Sequence, residues 1–146
     1  MTQCLEIMKR DIECLAPHAS VQSAAATMRD RNVGFLPVCD DSDEVLGTVT
    51  DRDIAIRVVA EQLSPQTTAV EEVMSPEVIA CQPEDDIEQA QELMAQYRKS
   101  RIMCIDSDGR LVGVISLSDI ADRVGNSAAR TLRAVSSREV HREARS

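Results

Sequence analysis

The chain has 146 residues, of which 43% are hydrophobic and 28% are charged, with only 5 Gly and 5 Pro. A chain of this length can bury a core of its own, and the composition excludes collagen-like and disordered proteins. No stretch is long and apolar enough for a membrane span, and the first residues lack the apolar run of a signal peptide. We therefore expect a cytoplasmic protein with no membrane partner.

The charge is unevenly distributed along the chain. The formal net charge is −9, with −12 over residues 1–124 and +3 over a basic tail at 125–146. An acidic body argues against binding to a phosphate backbone, and one Phe and one Tyr cannot form a stacking platform, so we expect no nucleic-acid partner. The tail is predicted to be partly helical, with Ser127 as N-cap and Leu132 and Val135 on its apolar side.

The cysteines are predicted to be buried thiols. Their number is odd, none forms a CxxC pair, and most lie among apolar neighbours: Cys4, Cys14, Cys39, Cys81 and Cys104. The two histidines, at 18 and 141, have no recurring partner. We predict no disulfide framework, no metal site and no nucleophilic dyad, and hence no enzyme.

The sequence is an internal duplication. Shifted by 66 positions, residues 6–58 align with 72–124 without a gap, and twelve pairs are identical. The pattern predicts one repeat at 1–63, a linker at 64–69, a second repeat at 70–124 and the tail.

Both repeats predict the same elements in the same order. Ser20 and Asp86 are predicted N-caps of amphipathic helices. Each helix is followed by two short apolar strands joined by a polar turn of about five residues, which suits a hairpin. The strands are predicted at 35–39, 45–50, 101–105 and 111–116. A second helix follows in each repeat, from Asp53 to about Gln62 and from Asp119 to about Val124.

The junction between the second strand and the second helix carries the candidate chemistry. Gly47 to Asp53 and Gly113 to Asp119 share one pattern: Gly, two strand residues, a hydroxyl, two spacers and a carboxylate. Thr50 and Ser116 lie beside unpaired N–H groups that favour an anion such as phosphate. The carboxylates can accept hydrogen bonds from the two cis hydroxyls of a ribose.

The same spacing has a purely structural interpretation. Thr50-x-x-Asp53 and Ser116-x-x-Asp119 are similar to capping boxes, in which the two side chains only close the start of a helix. Duplication copies a cap as readily as a binding site, so the motif alone leaves both interpretations open.

The wider pattern resembles the cystathionine-beta-synthase (CBS) domain, and the duplication resembles a tandem CBS pair, or Bateman module. The resemblance covers about residues 5–124. It is carried by Ile7-Met8, Gly34 to Val38 and Gly47 to Ala55 in the first repeat, and by Val73 to Pro76, Arg101 to Asp106 and Gly113 to Ile120 in the second.

The resemblance implies an α/β fold of two βαββα repeats packed with pseudo-two-fold symmetry. The first short strand would lie near Ile12 in one copy and near Val78 and Ile79 in the other. Met103 departs from the family pattern, which has the proline that the first copy keeps as Pro37.

The resemblance also implies ligands. Family members bind adenosine-containing molecules between the repeats, often AMP, ADP or ATP and sometimes NAD or S-adenosylmethionine. Asp53 and Asp119 would hold the ribose, and Thr50 and Ser116 the phosphate. The adenine would lie against strand residues of both copies: Ile12, Val78, Ile79, Phe35, Leu36, Pro37, Ile102 and Met103.

Three positions bear on the positive charge expected near the two sites. Arg52 is a candidate phosphate partner that Ser118 replaces in the second copy, so the two sites are expected to differ. Arg101 would add positive charge near the second site, or belong to a solvated basic helix end.

We therefore predict a non-enzymatic nucleotide sensor, a homodimer with no required cofactor, whose occupancy is read by a regulated protein partner. The alternatives are a ligand-free dimerisation module in which both motifs are only caps, and a small enzyme.

Overall fold

The computed structural model describes residues 2–124 and 132–136. The chain forms two compact units: a first unit of residues 13–78, and a second unit that combines the N-terminal segment up to Ile12 with the chain from Ile79 onward. In the second unit the Cys4 N–H donates to the Asp85 carbonyl at 2.8 Å. The predicted linker at 64–69 belongs to the first unit, where Thr68 is buried and its carbonyl accepts the Val21 N–H at 2.9 Å.

The first unit has two helices and a two-stranded sheet. Its elements are α1 (Val21–Arg31), β1 (Phe35–Cys39), β2 (Val45–Thr50) and α2 (Asp51–Ile54), which continues as a π-helical turn at Ala55–Val59. The strands are antiparallel, with Phe35 opposite Thr50. The Ser20 side chain accepts the Ser23 N–H at 3.1 Å, which confirms it as the N-cap of α1.

The second unit has a three-stranded sheet. Its elements are β3 (Ala80–Cys81), α3 (Ile87–Tyr97), β4 (Arg101–Ile105), β5 (Leu111–Ser116) and α4 (Leu117–Val124). β3 and β4 are parallel, and β4 and β5 antiparallel. Asp86 caps α3, as predicted.

The mixed α/β class, the four long strands and both N-caps are confirmed. The helices after the junctions begin two residues earlier than predicted, directly after Thr50 and Ser116. In the tail, residues 132–136 are helical and Val135 is buried, while Ser127 lies outside the described residues.

The predicted first strand of each repeat is corrected by the structure. In the second unit it is formed by Ala80 and Cys81 rather than Val78 and Ile79, and no strand forms at Ile12 or in the corresponding part of the first unit. There a single parallel bridge joins Leu15 to Val38. Pro37 explains the loss. The Met103 N–H donates to the Ile79 carbonyl at 3.5 Å, whereas proline at the matching position has no N–H to extend the ladder.

The two cores use different side chains at matching positions. In the first unit Leu15, Val38 and Val70 are buried, and in the second unit the same three positions are Cys81, Cys104 and Cys4. Hydrogen bonds with Cys104 and Cys4, together with burial, raise the pKa of the Cys81 thiol, so it is a protonated core group. Cys39 is also buried. The expectation of buried thiols is wrong for Cys14, which is exposed.

Candidate functional site

The junction of the first unit is a complete capping box. The Thr50 Oγ1 accepts the Asp53 N–H at 3.1 Å, and the Asp53 Oδ2 accepts the Thr50 N–H at 3.0 Å. The reciprocal pair satisfies two N–H groups at the start of α2.

The junction of the second unit repeats this geometry. The Ser116 Oγ accepts the Asp119 N–H at 3.2 Å, and the Asp119 Oδ2 accepts the Ser116 N–H at 3.1 Å. The Ser116 Oγ also lies 2.9 Å from the Ser118 Oγ. The capping interpretation is therefore realised in both copies, and each cap uses one oxygen of its aspartate, Oδ2.

The other oxygen of each aspartate faces a cation that the sequence analysis missed. The Lys9 Nζ lies 3.4 Å from the Asp119 Oδ1, and the Arg57 Nε lies 3.9 Å from the Asp53 Oδ1. The Asp53–Arg57 pair has the i, i+4 spacing of a helical ion pair, a local signal that points to it. Lys9 has no such signal, because it is more than 100 residues from Asp119.

Burial and charge act in opposite directions on Asp119. Its side chain is only 13% exposed, and burial pushes its pKa upward. Hydrogen bonds from Ser116 and the ammonium of Lys9 outweigh burial, so the pKa of Asp119 lies below its ordinary value. The carboxylate is therefore ionised at neutral pH and can accept hydrogen bonds.

Because its pKa is lowered by folding, the stability that ionised Asp119 contributes should be present above pH 4 to 5, roughly the range of an unfolded carboxyl, and should be lost as pH falls further. Urea unfolding of the wild type and of Asp119→Asn at pH 7, 5, 4 and 3 measures this. We expect the wild type to be more stable than Asp119→Asn at pH 7, and the difference in their free energies of unfolding to vanish in acid. Asp122→Asn, which removes an exposed carboxylate from the same helix, is the charge control. A difference that is constant over this range would contradict the assignment.

The glycine of each junction allows a close approach of backbone. Thr48 exchanges both N–H···O bonds with Ser75, at 3.0 and 2.8 Å, and Val114 does so with Lys9, at 3.0 and 2.9 Å. A Cβ on Gly47 would overlap the Ser75 carbonyl oxygen, and a Cβ on Gly113 would lie 2.6 Å from the Met8 Sδ. A ligand or another backbone was expected beside these glycines. At Gly47 the neighbour is the Ser75 backbone, whereas at Gly113 it is the Met8 side chain, next to the backbone pairing of Lys9 with Val114.

The remaining predicted site residues are divided between the units. The first unit holds Thr50, Arg52, Phe35, Leu36, Pro37 and Val78, and the second holds Ile12, Ile79, Arg101, Ile102, Met103 and Ser116. The side chains of Leu36, Ile102 and Met103 are at most 2% exposed and belong to the interior. Phe35 and Arg101 pair in register with Thr50 and Ser116, so each strand start lies directly beside a junction hydroxyl.

The fold and the duplicated junctions define a tandem pair of CBS domains. The family model of the CBS domain matches residues 4–60 and 70–126, and the chain belongs to this family. The CBS domain-containing protein YhcV of Bacillus subtilis is 35% identical over 143 residues, which cover 97% of this chain and all of YhcV.

Solved structures show the same fold. Hypoxic Response Protein I, in a crystal structure with two coordinated zinc ions, is 31% identical with a TM-score of 0.78, covering 84% of this chain and 99% of that one. Hypoxic response protein 1 of Mycobacterium tuberculosis is also similar to this chain in sequence. The CBS domain pair of protein MJ0100, in complex with 5′-methylthioadenosine and S-adenosylmethionine, is 24% identical with a TM-score of 0.75, covering 85% of this chain and 96% of that one.

The described part of the chain lacks two further features. Within residues 2–124 and 132–136, no group of three or more His, Cys, Asp or Glu side chains is arranged to hold a metal ion. The helices described there are all too short or too polar to cross a membrane.

Proposed function

We propose that the two junctions bind adenosine-containing nucleotides and that the protein is a regulatory sensor of their concentration. The observation that carries the proposal is that the two oxygens of each aspartate make different contacts. Oδ2 closes the helix, whereas Oδ1 accepts no hydrogen bond from a main-chain N–H in the described residues and faces a cation. A carboxylate oxygen that the cap does not use is a strong acceptor for ribose hydroxyls.

Two further observations support the proposal. Thr50 and Ser116 place a hydroxyl one turn from each aspartate, within reach of a phosphate on the same ligand. The MJ0100 pair, which shares the fold, binds two adenosine compounds, although its identity to this chain is only 24%.

The completed capping boxes favour a second candidate, a ligand-free dimerisation module. Thermal unfolding in the presence of AMP, ADP, ATP, NAD and S-adenosylmethionine separates the two. A ligand at about 100 times its dissociation constant stabilises a folded protein by about 2.7 kcal/mol. The sensor requires such a response to at least one of the five, and a flat response to all of them would favour the module.

We also propose that the protein forms a homodimer. Ile56, Val59 and Leu63 lie near one another in sequence around the π-helical turn and are 45%, 66% and 45% exposed. Burying these side chains against a second copy would remove apolar surface from water. Sedimentation velocity should show a dimer for the wild type and a monomer for Val59→Asp. A monomeric wild type at every concentration would contradict this part of the proposal.

A further inference from the structure

The two junctions differ in which of two corresponding positions carries a basic residue. Arg52 in the first repeat corresponds to Ser118 in the second, whereas Ser75, which pairs with β2, corresponds to Lys9, which pairs with β5. Each junction therefore has a cation at one of these two positions and a serine at the other. From the exchange of Arg52 for Ser118 alone, the second junction would lack a cationic phosphate partner.

We infer that Lys9 is the phosphate-recognising residue of the Asp119 junction, so that this site takes a nucleotide with a 5′ phosphate in preference to the neutral nucleoside. The inference rests on the proposed function and specifies its ligand class. It assigns to Lys9 the part that Arg52 is expected to play at Asp53.

The backbone of Lys9 is held next to the site by hydrogen bonds, and its side chain is largely exposed to solvent. Its N–H and carbonyl are both bonded to Val114, two residues before Ser116. The side chain is 72% exposed, and its ammonium lies 3.4 Å from the Asp119 Oδ1. When ribose hydroxyls reach this oxygen, the flexible stem allows the ammonium to turn to the phosphate, since its three N–H donors are not tied to one geometry.

The local charge requires such a cation. An ionised aspartate repels a phosphate, and the hydroxyls of Ser116 and Ser118 offer only neutral donors. Arg123, the counterpart of Arg57, is placed 4.0 Å from Glu6 instead. Within the described residues, Lys9 is the cation that lies within 4 Å of the Asp119 carboxylate.

The test compares AMP with adenosine, which share base and ribose and differ by the phosphate. In an Asp53→Asn background, which leaves the Asp119 junction as the site, calorimetry gives both dissociation constants. We expect AMP to bind about tenfold more tightly than adenosine, as a charge-assisted hydrogen bond would provide, and Lys9→Gln to bring the ratio close to one. Lys9→Arg should keep the preference. Lys9→Gln with Ser118→Arg should restore part of it, because it moves the cation to the position used in the first repeat.

Arg10→Gln, which removes the neighbouring exposed cation, is the control for net charge and should leave the ratio unchanged. If Lys9→Gln lowers the melting temperature but leaves the ratio intact, Lys9 is only a structural ion-pair partner and the inference is overturned, while the proposed function stands. If the unsubstituted chain binds another adenosine-containing ligand but not AMP, the inference is overturned and the proposed function stands; if it binds none of AMP, ADP, ATP, NAD and S-adenosylmethionine, the proposed function itself fails.

Discussion

The double variant Asp53→Asn, Asp119→Asn is expected to keep its melting temperature within a few degrees of the wild type and to lose its thermal response to AMP. Asparagine retains one carbonyl oxygen, which can accept the Thr50 or Ser116 N–H as Oδ2 does now. Its amide NH₂ then stands where Oδ1 was and donates instead of accepting. The substitution therefore preserves the cap and removes the ribose acceptor.

The lost ion pairs should cost little. The Lys9 and Arg57 side chains are 72% and 51% exposed, although Asp119 and Asp53 are only 13% and 17% exposed. Each cation therefore stays solvated when its partner is replaced, and the loss should be about 1 kcal/mol for each pair. The lost response should be large, because a stabilisation of about 2.7 kcal/mol raises the melting temperature of a domain of this size by roughly 5 to 10 °C.

The alanine variants provide the contrast. Asp53→Ala with Asp119→Ala removes the acceptor and the aspartate half of each capping box, while the Thr50 and Ser116 hydroxyls still accept the N–H groups at 53 and 119. It should lower stability by less than about 2 kcal/mol per helix, the upper end of the range for a lost cap. An asparagine variant that responds to AMP as the wild type does would show that the aspartates serve the caps alone.

Gly47→Ala is expected to destabilise the first unit by about 1 to 3 kcal/mol, toward the upper end of the range for overpacking. The added methyl group would overlap the Ser75 carbonyl oxygen and lie 3.0 Å from the Met74 Sδ. That carbonyl cannot withdraw freely, because it accepts the Thr48 N–H at 3.0 Å. Relief would require the segment around Ser75 to separate from β2.

Gly113 and Gly34 are controls for this prediction, because we expect a smaller loss of stability at each of them. At Gly113 the obstacle is mainly the flexible Met8 side chain, so Gly113→Ala should cost less. At Gly34 the obstacle is the exposed carboxylate of Asp51, at 2.7 Å, which can rotate away, and the cost should be within about 0.5 kcal/mol. Urea unfolding of the three variants gives the order, and equal losses at Gly34 and Gly47 would contradict the argument from close approach.

The sequence predicts most of the local structure because the signals are themselves local. Ser20 and Asp86 each precede an apolar stripe of helical spacing, and both are N-caps. The polar stretches beginning at Asp40 and Asp106 are turns. In each, the first aspartate accepts two backbone N–H groups, at 2.8 and 3.0 Å and at 2.9 and 2.9 Å.

Features that depend on distant pairing were not predictable in this way. Nothing near Lys9 in the sequence indicates that it pairs with β5 and reaches Asp119. The missing first strand of the first repeat has a local cause in Pro37, yet its effect becomes visible only when Met103 is seen to donate to Ile79 at the matching place.

The local geometry of each junction was predictable, whereas its role as a ligand site stays a prediction. The hydroxyl and carboxylate of each junction are one helical turn apart, as their spacing indicates. The sequence could not decide between a cap and a ligand site, because the same carboxylate can serve both through different oxygens. Which oxygen closes the cap and which one faces a cation is visible only in the structure.

The measurement that tests the separate roles of Oδ1 and Oδ2 most directly is a crystal structure of the protein crystallised with AMP. Our account predicts ribose hydroxyls within hydrogen-bond distance of the Asp53 or Asp119 Oδ1, with Oδ2 still accepting the Thr50 or Ser116 N–H. Crystals in which both aspartates keep their caps while AMP is absent, or bound away from them, would contradict it.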